Sequence, residues 1–99
     1  MRFLVRVKMP TEVLNKLIHD PDFTGSMEEQ LRRVKAEAAY FTLYEGDRTI
    51  YLVVDLPSAD TMVTTFEPLF SKFNAKIEAF PVMTLEDLKK GVSVIQKPK

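Results

Sequence analysis

The chain has 99 residues, fourteen Lys or Arg against fourteen Asp or Glu, 45% apolar residues, one histidine and no cysteine. A single domain of this length buries only about 65% of the surface its unfolded chain exposes, so a second copy is a natural source of added stability. Balanced charge removes any general attraction to nucleic acid or anionic lipid. The missing cysteines exclude disulfides and thiolate metal sites, and His19 alone cannot build the usual zinc sets.

The opening "RFLVRVK" (2–8) alternates, with Phe3, Val5 and Val7 on one side and Arg2, Leu4, Arg6 and Lys8 on the other. A period of two predicts a half-buried strand, ended by Pro10. "TEVLNKLIHD" (11–20) carries Val13, Leu14, Leu17 and Ile18 at helical spacing behind Thr11 as a cap, with Pro21 as a stop. After the turn cluster "PDFTG" (21–25), Ser26 is expected to cap a second helical stretch with Met27, Leu31, Val34 and Ala38 as its stripe. Glu28–Arg32 and Glu29–Arg33 are expected i,i+4 pairs. The turn cluster either separates two helices or bends one layer.

"AYFTLY" (39–44) and "TIYLVVDL" (49–56) are predicted strands joined by the turn "EGDR" (45–48), a hairpin. Pro57 ends the second, and Ser58 is the expected cap of a helix with Met62, Phe66, Leu69, Phe70 and Phe73 on one face. Pro68 lies inside that pattern and predicts a kink or break near Glu67. "AKIEAF" (75–80) alternates as a fourth strand. Thr84 with Asp87 predicts a capping box for a short helix to Lys90, stopped by Gly91. The tail, 92–99, is expected either to fray or to pack Val92, Val94 and Ile95 on a neighbour.

The order β-α-β-β-α-β with a short C-terminal helix predicts an α+β domain over residues 1–99. Its expected form is ferredoxin-like, a four-stranded antiparallel sheet with helices on one face. The other face carries Leu4 and Arg6, then either Tyr51 and Val53 or Ile50, Leu52 and Val54, then Lys76, Glu78 and Phe80. That mixture is too apolar to face water and too charged for a core. Face-to-face pairing with a second copy resolves it and makes an isologous homodimer.

Five stretches, "RFLVRVK" (2–8), "VKAEAAYF" (34–41), "GDRTIYLVVDL" (46–56), "EPLF" (67–70) and "AKIEAFPVMTLEDL" (75–88), carry a family resemblance over nearly the whole chain. The chain resembles an uncharacterised family of small bacterial proteins of the dimeric α+β barrel type. The wider superfamily includes muconolactone isomerase-like enzymes, cofactor-free monooxygenases and regulatory ligand-binding domains. The resemblance implies the fold and the dimer, and it carries over no catalytic set.

Four residues are the site candidates. Arg6 suits a carboxylate clamp and Glu78 a proton-transferring base, on strands that neighbour each other in this fold; the plainer reading is a structural ion pair. Tyr40 and Tyr51 suit the wall of a ligand pocket, or else hairpin packing. Tyr44, next to the turn, is read as packing. Arg48 is read as an exposed turn residue, Glu37 as a charged helix end and His19 as a helix C-terminal residue. "RRVK" (32–35) is a solvated helix face, and Phe66, Phe70 and Phe73 are core.

No apolar run nears the ~20 residues of a membrane helix, and Arg2, Arg6 and Lys8 break the opening stretch unlike a signal peptide. The expectation is a soluble, cytoplasmic homodimer with a small-molecule pocket and no metal, cofactor, nucleic acid or membrane partner. Its pocket serves either a cofactor-free isomerase- or monooxygenase-like reaction or a non-catalytic metabolite-binding or regulatory role.

Overall fold

A computed structural model of the chain describes residues 1–98. The elements run β1 (Arg2–Lys8), α1 (Thr11–Leu17), α2 (Phe23–Arg33), β2 (Ala38–Tyr44), β3 (Asp47–Asp55), α3 (Thr61–Phe73), β4 (Lys76–Pro81) and α4 (Leu85–Gln96). The strands form one antiparallel sheet in the order β2-β3-β1-β4. The protein is therefore α+β with a four-stranded antiparallel sheet and four helices.

Alternation sets the faces, and register keeps them aligned. Phe3 pairs with Val54, Val5 with Leu52 and Val7 with Ile50, and all six are buried. Leu14 of α1, Met27 of α2 and Phe66, Leu69 and Phe73 of α3 close over them in one core. Each such side chain contributes roughly 1.5–3 kcal/mol on full burial. The choice left open for β3 is thereby settled: Ile50, Leu52 and Val54 face the helices, and Tyr51 and Val53 face away.

The hairpin turn has two residues. Tyr44 pairs with Asp47, and Glu45 and Gly46 between them have φ of 49° and 82°. Positive φ at both centres gives the turn whose twist matches the strands.

Local details correct the sequence reading in several places. α1 stops at Leu17, and Thr11 lies inside it, donating to Asp47 Oδ1 at 2.6 Å instead of capping. α2 begins at Phe23, not Ser26, because Asp20 Oδ1 accepts from the Asp22 backbone and shapes the turn that starts it. Glu29 takes both Arg32 and Arg33, so the expected Glu28–Arg32 pair is not formed. Ala38 belongs to β2. α3 starts at Thr61 and is unbroken through Pro68: one backbone bond is lost there, while Phe66, Leu69 and Phe73 anchor the turns on either side. Phe70 and Met62 lie at the exposed margin of that face.

The capping box at α4 forms as expected, with Asp87 N donating to Thr84 Oγ1 and Thr84 N to Asp87 Oδ2. The helix continues through Gly91 to Gln96, so most of the expected tail is ordered helix; Lys99 lies outside the described residues. No residue of α4 is buried. The radius of gyration is 16.7 Å and the longest extent 62 Å, against about 13 Å for the radius of a compact chain of this length. None of the described helices is long and apolar enough to cross a membrane.

Candidate functional site

The sheet face away from α1, α2 and α3 is organised in cross-strand rows. Register places Tyr40 opposite Tyr51, Tyr51 opposite Arg6, and Arg6 opposite Glu78. The four candidates named from sequence thus form a single row across all four strands. The neighbouring rows are Ala38, Val53, Leu4 and Phe80 on one side, and Thr42, Thr49, Lys8 and Lys76 on the other.

Arg6 is the centre of this surface. Its Nη2 donates to Glu78 Oε1 at 2.6 Å. Its guanidinium carbon lies 3.9 Å from the centroid of the Tyr44 ring and 5.4 Å from that of Phe80. The planar cation is thus held by an acid and an aromatic face from β4 and by an aromatic face from β2. Its side chain is only 15% exposed, against 55% for Glu78. Arg6 Nε is buried and has no hydrogen-bond partner among the described residues. The Glu78 hydrogen bond, and next the Tyr51 hydroxyl, hold the Arg6 guanidinium above its ordinary value. It is charged throughout the physiological range.

Tyr44 is the residue that sequence reasoning missed. Its ring also lies 5.9 Å from Lys8 Nζ, and Lys8 in turn reaches Asp47 at 3.7 Å and Glu45 at 4.0 Å. The Glu45 carboxylate raises the Tyr44 phenol above its usual value, against the opposing pull of Arg6. Turn position alone suggested hairpin packing. No local signal shows that the ring leans back across β3 to cover an arginine of β1.

Tyr51 is half-buried, whereas Tyr40, on the edge strand, is 71% exposed. Only an additional surface can make Tyr40 a pocket wall. The other candidates lie apart from the row. Glu37 pairs with Arg2 at 2.9 Å, Arg48 donates to Asn15 at 3.1 Å, and His19 is exposed beyond α1. A cavity of about 530 Å³ is lined by Arg2, Asp55, Met83 and Asp87, away from the row. Among the described residues no three His, Asp or Glu side chains converge as a metal site would require.

The arrangement can present a fixed positive charge and a carboxylate side by side on an aromatic floor. Such a floor suits a flat, polar-headed small molecule, provided a second surface excludes water. Comparison with protein-family models and with curated proteins finds no match for this chain.

Proposed function

We propose that this chain is a cytoplasmic homodimer of the dimeric α+β barrel type whose two open sheet faces meet and enclose a small-molecule pocket. One observation carries the reading: Arg6, charged and largely buried, sits in a row with Tyr40, Tyr51 and Glu78 on a sheet face that no helix covers. A guanidinium pinned in this way is preorganised for a carboxylate, and the tyrosines suit an aromatic or oxo-acid body. Leu4, Val53 and Phe80 in the next row supply apolar surface for the contact between copies.

The topology supports the ferredoxin-like assignment. From its other edge the sheet runs β4-β1-β3-β2, so each β-α-β unit is split by a strand of the other. The resemblance to the small bacterial family points the same way.

Benzoate and pyruvate, the simplest aromatic and oxo-acid carboxylates, test the pocket. Either is expected to raise the melting temperature of the wild-type dimer and to leave Arg6→Met unmoved. A dimer indifferent to both, or an Arg6→Met variant that responds equally, would contradict the pocket.

A second reading adds isomerase- or monooxygenase-like turnover without a cofactor. Glu78 favours it, because its Oε2 makes no hydrogen bond among the described residues and so is open to a substrate proton. Glu78→Gln should then abolish turnover while ligand binding survives. Ligand recovered unaltered from the wild type would leave a metabolite-binding or regulatory dimer.

A further inference from the structure

Among the described helices α4 alone buries no residue, yet its sequence makes a definite helix. A reciprocal cap opens it. Leu85, Leu88, Val92 and Ile95 follow at intervals of three, four and three, the spacing of a helix–helix seam. All four are exposed, Ile95 by 83%. A lone helix of 12 residues is marginal in water, so this one needs a surface to lie on.

The same chain has an unfilled surface of matching character. Ile18, Phe23, Met27, Phe41 and Leu43 line an apolar groove of about 350 Å³ where α1 and α2 overhang the free edge of the sheet, and a second hollow extends it past Leu31. Phe41 and Leu43 belong to β2, an edge strand with no charged residue, and both are exposed. Natural sheets rarely leave such an edge uncovered.

Its own α4 does not occupy the groove: none of that helix's residues lines it or is buried. That helix leaves from β4, at the opposite edge of the sheet. Three inter-strand spacings, about 14 Å, separate the edges. The link from β4 to α4 is Val82–Thr84, whose four steps from Pro81 to Leu85 span at most about 14 Å, so only a fully extended link would match the width of the sheet. The groove also opens on the side that α1, α2 and α3 occupy.

We infer that two copies exchange their α4 helices, each laying its Leu85–Ile95 seam in the partner's groove beside Phe41. Exchange satisfies seam and groove together and closes with two-fold symmetry, leaving no free complement to build a fibre. The exchange rests on the homodimer proposed above and not on its ligand.

Complementation tests it. Arm variant Leu88→Glu/Ile95→Glu and groove variant Phe41→Glu each change side chains that are exposed in the single chain, and near-ultraviolet circular dichroism checks that both keep the fold. Each is expected to dissociate at a concentration about tenfold or more above the wild type in sedimentation equilibrium. Mixed together they should form a heterodimer more tightly than either pairs with itself, because one intact arm then meets one intact groove. Alanine in place of glutamate at positions 88 and 95 should give the same trend without added charge. Arm variants as dimeric as the wild type, or no gain on mixing, would overturn the exchange. A dimer lost in Val53→Glu but kept in the arm variant would do so while preserving the face-to-face pairing. A monomeric wild type would overturn both.

Discussion

Arg6 and Tyr44 lie on strands that do not touch, yet the Arg6 guanidinium carbon stacks 3.9 Å from the centre of the Tyr44 ring. β3 runs between them. The contact ties the hairpin end of β2 to the middle of β1 and holds the cation where Glu78 can meet it. Tyr44→Ala is therefore expected to lower the melting temperature by several degrees and to loosen Arg6. Tyr44→Phe keeps the ring and should stay close to the wild type. Thermal unfolding of the two variants checks this; equal losses would assign the effect to the hydroxyl instead.

Proline in a helix interior normally costs about 3 kcal/mol. α3 nevertheless runs unbroken through Pro68. Pro68→Ala restores the backbone donor to the Thr64 carbonyl and should stabilise the protein by about 1–3 kcal/mol in urea unfolding. A loss of stability would mean that Pro68 contributes packing worth more than the missing bond.

The turn of the β2–β3 hairpin needs positive φ at both Glu45 and Gly46. Gly46→Ala should cost about 1 kcal/mol, since a Cβ there is strained although nothing crowds it. Glu45→Asn should raise stability, because asparagine tolerates that backbone. Denaturant midpoints decide both signs, and a Glu45→Asn variant that is less stable would show that the long contact from Lys8 matters more than the backbone.

Asp87 gives the α4 cap a pH dependence. Hydrogen bonds from the Thr84 backbone and side chain lower its carboxyl below the usual aspartate value. A depressed folded-state value means that the cap stabilises fully above about pH 4 and weakens as pH falls through the lowered value. The protection of α4 amides from exchange, relative to their intrinsic rates, should fall below about pH 4 in the wild type and lose that dependence in Asp87→Asn. A pH-independent wild type would contradict the cap's role.

The alternation of Phe3, Val5 and Val7 was enough to orient β1, and with it the row that carries Arg6. Opposed candidates such as Arg6 and Glu78 could be named because strand neighbours follow from topology. The lean of Tyr44 over Arg6 could not, since it depends on the twist of a hairpin and not on spacing. Pro68 and Gly91 misled for one reason: each disfavours a helix locally, and flanking side chains or a strong cap outweigh it. Ser26 yielded to Asp20, whose carboxylate starts the turn earlier.

Burial of the open sheet face by a second copy is the claim on which pocket and ligand depend. Native mass spectrometry of the gently purified wild type beside Val53→Glu tests it most directly, because Val53 faces away from the core in the row next to Arg6. A wild-type dimer that carries a reproducible small mass, and a folded Val53→Glu monomer without it, is the predicted result. A monomeric wild type, or a Val53→Glu dimer as stable as the wild type, would contradict it.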